Sequence, residues 1–319
     1  MNNVLVLGGT GFVGRATCAE LVERSGGAGG TITVPTRRAR AGRAIRYLPT
    51  VEVVEADVVR DDRALARLVA GSDAVVNLIA ILHGDEARFR EVHVELPRRL
   101  AKAMRDAGVR RLVHVSALGV GPNAPSNYLR SKTEGEAVLR DAGLDVTILR
   151  PSVIFGAEDR FINLFAKLQG LLPLMPLGGA QARFQPVWVQ DVARAIALAL
   201  DRRDTVGQTY ECVGPTVYTL AELVRLAGRH AGHERPVLPL PGALAGLQAR
   251  LMELAPGEPL MSRDNLLSMQ VPNVATGQLP GLEALGIVPA ALEAIVPTYL
   301  GSGAGRARLT PLRARAHRD

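Results

Sequence analysis

Aromatic residues are scarce, only 4% of the 319 residues. That leaves few ring faces for stacking nucleic-acid bases, and no DNA-binding motif accompanies them, so no nucleic-acid partner is expected. Only two cysteines occur, Cys18 and Cys212. Far apart in sequence, they suggest neither a disulfide framework nor a metal site, and they fit a reducing cytosol. No apolar stretch reaches the roughly 18 residues that span a bilayer. The run Val4–Leu7 is too short for a signal-peptide core. The expectation is a cytoplasmic protein, or one peripheral to the inner face of the membrane. Acidic residues number 31 against 38 Lys and Arg, giving a net charge of +7 and favouring anionic partners such as a phosphorylated cofactor or a membrane surface.

What is plentiful is glycine, and it is placed tellingly. Val4-Leu5-Val6-Leu7 is followed by Gly8-Gly9-Thr10-Gly11-Phe12-Val13-Gly14 and then by an amphipathic segment, Arg15 to Arg24. The order reads as strand, tight turn, helix. Gly8 permits the turn, Gly11 lets backbone approach a pyrophosphate, and Gly14 lets helix and strand pack closely. The helix N-terminus offers N–H groups to the phosphates.

Strand-like and helix-like runs then alternate. Strands are expected at 31–34, 51–55, 74–79, 112–115 and 146–149, with helices at 63–70, 88–107 and 131–142. This predicts an α/β, doubly wound parallel sheet. The second strand runs out as Pro35-Thr36-Arg37-Arg38, with no acid for a ribose 2′-hydroxyl. Two guanidiniums suit a 2′-phosphate, so NADP(H) is preferred over NAD(H). Asp57 follows the third strand and suits the adenine amino group; Val58 lies beside it. Leu78, Ile79 and Ala80 close the fourth strand, where the small Ala80 lets backbone pass close to a ribose.

Ser116 stands at the end of the fifth strand, the edge where open α/β sheets bind ligands. Tyr128 and Lys132 are four apart, on one helical face. A phenol is a poor proton relay at neutral pH; a nearby ammonium lowers its pKa. Tyr128 then relays a proton, Lys132 tunes it and also suits the cofactor's ribose hydroxyls, and Ser116 donates a hydrogen bond to a developing alkoxide.

These motifs, with Leu149-Arg150-Pro151-Ser152-Val153-Ile154-Phe155-Gly156 and Val187-Trp188-Val189-Gln190-Asp191, run in order over about 200 residues. They resemble the extended and atypical short-chain dehydrogenase/reductases, which include the NAD-dependent epimerase/dehydratase-like proteins. The phrases Val113–Gly119 and Tyr128–Glu136 narrow the likeness to the group holding the NADPH-binding accessory subunit of respiratory complex I and its bacterial relatives. The resemblance implies a Rossmann fold, bound NADP(H), a small C-terminal substrate lobe, and Pro151 and Val153 in the wall around the nicotinamide. It does not by itself imply turnover, because the accessory subunit is regarded as structural.

Twelve positions separate Ser116 from Tyr128, shorter than is typical of the extended enzymes, so the substrate mouth is remodelled and Ser126 is a substitute candidate for Ser116. His93 stands where many relatives have Asn; it either donates a hydrogen bond or packs within its helix. The apolar segment Phe161 to Leu177 reads as a lid over an apolar, quinone- or lipid-like substrate, as a membrane or partner contact, or as core. The expected domains are a Rossmann core over 1–155 with a return at about 183–213, a substrate lobe over 156–300 and a basic, disordered tail over 301–319. The function expected is hydride transfer to or from a carbonyl or alcohol. The rivals are a non-catalytic nucleotide-binding protein of a respiratory assembly and a nucleotide-sugar epimerase or dehydratase.

Overall fold

All four residues of the first strand, β1 (Val4–Leu7), are buried, which a strand achieves only inside a sheet covered on both faces. The computed structural model describes residues 3–27, 29–254 and 259–301. After β1 come α1 (Phe12–Arg24), β2 (Ile32–Thr36), β3 (Val51–Glu55), α2 (Asp62–Ala70) and β4 (Ala74–Asn77). Next are α3 (Glu86–Arg90), a π-helical stretch at Glu91–Glu95, α4 (Leu96–Asp106), β5 (Arg111–Val115), α5 (Asn127–Arg140) and β6 (Asp145–Pro151). The chain continues with β7 (Ile154–Phe155), α6 (Ile162–Leu171), β8 (Met175–Leu177), β9 (Arg183–Phe184), β10 (Val187–Trp188), α7 (Val189–Asp201) and β11 (Thr209–Cys212). It closes with β12 (Tyr218–Thr219), α8 (Leu220–Ala231), β13 (Val237–Pro239), α9 (Gly242–Glu253), α10 (Arg263–Ser268) and α11 (Leu292–Leu300).

The chain divides into two compact units. The first comprises Met1–Pro151, Val189–Cys212 and Ala275–Val288. Its seven-stranded sheet has the order β3-β2-β1-β4-β5-β6-β11, with every neighbouring pair parallel. This is the expected doubly wound Rossmann fold. The order reverses between β1 and β4, the switch point where such sheets bind their ligands. Leu5, Leu7, Val75 and Leu112 from the strands pack with Leu65, Leu96, Leu100 and Met104 from α2 and α4.

The segment Ala275–Val288 belongs to this first unit rather than to the later lobe, because Glu211 of β11 holds it. Its carboxylate accepts from Thr276 N at 2.8 Å and from Thr276 Oγ1 at 2.9 Å, while Glu211 N donates to Pro280 O at 2.9 Å.

The second unit comprises Ser152–Trp188, Val213–Val274 and Pro289–Asp319. It includes β7, which pairs with β10 rather than with the large sheet. Phe155, Ile162, Phe165, Met175 and Leu177 are buried in its own core with Leu220, Leu223 and Val224 of α8. Much of the apolar Phe161–Leu177 stretch is therefore core, leaving Leu171, Leu172 and Leu174 exposed. The predicted tail lies outside the described residues from 302 onward.

Candidate functional site

The glycine turn is built as a cradle. Gly8 has φ +83°, a left-handed conformation that a side chain disfavours. A Cβ on Gly14 would stand 2.3 Å from Gly8 O and 2.5 Å from Gly9 Cα, so α1 starts in direct contact with the turn. The N-cap of α1 is Gly11, whose extended backbone carries no side-chain cap. The first N–H groups of α1 meet no capping oxygen, the arrangement that receives a phosphate. Thr10, Phe12 and Val13 are half-buried around it.

The end of β4 is brought against this turn. Leu78 N donates to Leu7 O at 2.9 Å, and a Cβ on Gly8 would meet Leu78 C at 3.1 Å. Ile79 N donates to Asn77 Oδ1 at 3.2 Å, which fixes the path toward the exposed Ala80.

Arg37 and Arg38 sit exposed directly after β2. The stretch from Pro35 to Arg46 holds three more arginines, Arg40, Arg43 and Arg46, and no acid. Asp57 Oδ1 accepts from Val59 N at 3.2 Å. The helix cap falls instead to Asp61, whose Oδ1 accepts from Arg63 N and Ala64 N, each at 3.0 Å. The Val58 side chain is buried in the core, so only its backbone can face a ligand.

A second cluster gathers at the end of β5. Lys132 Nζ donates to Val115 O at 2.8 Å. The next residue is Ser116, whose buried Oγ has no hydrogen-bond partner. A buried hydroxyl left so is costly. Tyr128 lies one turn before Lys132 on α5, half-buried, with its ring edge-on to His93 at 5.5 Å. Ser126 is held at the start of the same helix. It is the N-cap of α5, and its Oγ accepts from Leu129 N at 3.2 Å.

The electrostatics differ from expectation. Burial pushes the Tyr128 phenol up to about 12; the anticipated lowering by Lys132 does not dominate, since the ammonium is directed at Val115 O. Burial also lowers Lys132 to about 8, against the opposing pull of Glu136. Glu136 is itself held by Arg150, with Nε–Oε1 2.9 Å and Nη2–Oε2 2.6 Å.

Of the two readings of His93, packing describes it better. Burial, then the Lys132 charge, lowers it to about 2, so its ring is neutral. Nε2 accepts from Ile81 N at 3.1 Å. The proton must then sit on Nδ1, which donates to Ser131 Oγ at 2.9 Å. Ser131 Oγ in turn donates to Tyr128 O at 2.8 Å. Both ring nitrogens are thus occupied, and His93 links the β4 loop to α5 rather than polarising a substrate oxygen. His114, buried beside Asn77 with Nδ1 3.2 Å from Asn77 Nδ2, is also held well below its ordinary pKa, chiefly by burial. The role of His114 was not legible in sequence.

Pro151 closes β6, and its carbonyl accepts from Leu118 N at 3.0 Å. Val153 belongs to the second unit, where its N–H donates to Asn273 Oδ1 at 3.0 Å. Among the described residues no group of three or more His, Cys, Asp or Glu is arranged to hold a metal ion, and no helix is long and apolar enough to cross a membrane.

Comparison with known proteins matches this arrangement. The NADH dehydrogenase [ubiquinone] 1 alpha subcomplex subunit 9, mitochondrial, of Rattus norvegicus is 36% identical over 297 residues, covering 90% of this chain and 77% of that protein. A ceramide reductase of Caulobacter vibrioides is 31% identical over 241 residues, covering 75% of this chain and 73% of that one. Among solved structures, MoeE5 in complex with UDP-glucose and NAD superposes with a TM-score of 0.68 at 19% identity, over 94% of this chain and 97% of that one. The family model for NAD dependent epimerases/dehydratases matches residues 4–212, and with the dinucleotide cradle, the parallel sheet and these relatives in agreement, the chain belongs to the NAD dependent epimerase/dehydratase family.

Proposed function

We propose that this chain is an NADP(H)-dependent oxidoreductase that interconverts a carbonyl and an alcohol on an apolar, lipid- or quinone-like substrate. The observation that carries the reading is the β5 end: Lys132 Nζ on Val115 O at 2.8 Å, the partnerless buried Ser116 Oγ beside it, and Tyr128 one turn away. The cradle from Gly8 to Gly14 would hold the pyrophosphate, Asp57 the adenine, and Arg37 with Arg38 the 2′-phosphate, which favours NADP(H) over NAD(H). A bound nicotinamide would supply the hydride. Ser116 Oγ donates a hydrogen bond to the substrate oxygen, and Tyr128 Oη delivers the proton that completes the alcohol. The resulting phenolate, costly in a buried site, is stabilised by the Lys132 ammonium. The apolar substrate draws support from the relative named ceramide reductase.

The test is oxidation of NADPH by a panel of long-chain ketones, ceramide precursors and quinones, with the wild type and Tyr128→Phe. Turnover by the wild type and loss in the variant are expected. Full activity in Tyr128→Phe removes the mechanism.

A second reading has its own support in the 36% identity to a mitochondrial NADH dehydrogenase subunit. In it the chain is a cytoplasmic NADP(H)-holding member of a respiratory assembly, peripheral to the inner face of the membrane. Tightly retained NADPH, no turnover across that panel and co-purification with respiratory subunits would select it.

A further inference from the structure

We propose that the second unit carries a docking face for an anionic lipid bilayer, centred on α9. This deepens the peripheral placement of the second reading but does not depend on the hydride chemistry. The helix is inverted relative to an ordinary surface helix. Its buried residues are the small Ala245 and Ala249, while Leu244, Leu247 and Leu251 are 52%, 54% and 60% exposed and Leu254, just beyond its end, is 77% exposed. Their spacing of three, four and three places them along one side of the helix.

The adjoining strands extend the apolar surface. Gln248 Nε2 donates to Pro176 O at 3.1 Å, tying α9 to β8. β8 pairs with β13 through Pro176 and Leu238, and Leu238 and Leu174 are both exposed. Exposed leucine in this number marks an interaction surface.

The residue types point to lipid rather than protein. Protein interfaces concentrate binding energy in Trp, Tyr and Arg, with Leu under-represented. The α9 face is leucine, one of the residue types that interfacial helices lay into the acyl boundary. The charge is complementary to an anionic headgroup layer. Arg250 is exposed on α9. Glu253, the one acid of α9, is engaged by Arg263 through Nε at 2.9 Å and through the backbone N at 2.8 Å. From Gly301 to Asp319 the chain adds five arginines against a single aspartate. Basic residues carried in the same chain as an apolar face strengthen attachment to anionic membranes.

The experiment is co-sedimentation of the full chain with phosphatidylcholine vesicles and with mixed phosphatidylcholine–phosphatidylglycerol vesicles, at low and high salt. Wild type is expected to pellet with the mixed vesicles, less with the neutral ones, and in part at high salt. The double variant Leu247→Glu/Leu251→Glu should lose at least about tenfold in partitioning, with NADPH binding and melting temperature unchanged. Should it fail to fold, Leu254→Gln, at the most exposed of these positions, should still lose about threefold. Absence of wild-type binding, or binding that neither leucine variant weakens and high salt abolishes, overturns the proposal. So does a wild-type dimer that the double variant renders monomeric, which would assign the face to a second copy.

Discussion

Tyr128, Lys132 and Ser116 share one problem: each is a polar group that burial makes costly. For Tyr128 the cost is useful, because a phenol near 12 keeps its proton until a substrate oxygen needs it. Tyr128→Phe is expected to lower kcat by about 10²–10⁴-fold, the usual yield of a general acid, and to leave the NADPH dissociation constant unchanged. Lys132, at about 8, gives the pH dependence its sign. Below that value the ammonium is present to stabilise the phenolate; above it the charge is lost. Carbonyl reduction should therefore fall as pH rises through about 8, and a flat rate across that range would remove Lys132 from the mechanism. The four-residue spacing of Tyr and Lys was legible because a helix has one period. The fate of His93 was not, because it depends on where the β4 loop comes to rest. Its replacement by alanine removes the acceptor of Ile81 N and one of the two partners of Ser131 Oγ. A loss of about 1–3 kcal/mol in denaturant unfolding is expected.

At the scale of elements, the glycine turn was read almost residue for residue, since its spacing is dictated by backbone contact. Gly14→Ala drives a Cβ to 2.3 Å from Gly8 O. The obstacle is backbone, not a flexible side chain, so α1 must shift. The measured outcome should be loss of NADPH binding by calorimetry, with the protein less stable by about 1–3 kcal/mol. The segment between β4 and β5 was read as one continuous helix. In the structure a π-helical stretch at Glu91–Glu95 interrupts it. This stretch carries His93, whose carbonyl would meet a Cβ on Gly135 at 2.0 Å. The stretch is only five residues long, so a periodicity read over twenty positions passes over it. The two-residue strands β7, β9, β10 and β12 were missed for a related reason: they are too short to show alternation.

Across the molecule, the parallel sheet was legible from the alternation of runs, and the family from the ordered motifs. The Arg37→Ala/Arg38→Ala protein is expected to bind NADPH at least about tenfold more weakly while NADH is little affected; equal losses for both would refute a 2′-phosphate role. Acid should also act on the whole fold through two imidazoles. His93 is held at about 2 and His114 well below its ordinary value, whereas in the unfolded chain both titrate near 6.5. The unfolded state thus binds more protons below pH 6.5. Stability is full above that pH and declines toward the folded pKa of His93, near 2, by up to about 1.4 kcal/mol per pH unit for each ring. The urea midpoint should drop between pH 7.5 and pH 5.

The late return of Ala275–Val288 to the first unit bears on synthesis. During translation β11 emerges long before the segment that satisfies the Glu211 carboxylate, so a nascent chain ending near Cys212 holds a nearly complete sheet around an unsatisfied acid. Cutting the gene at the family boundary repeats that situation permanently. Such a fragment should collect in inclusion bodies, and only chains reaching past Val288 can leave the ribosome with the nucleotide half finished.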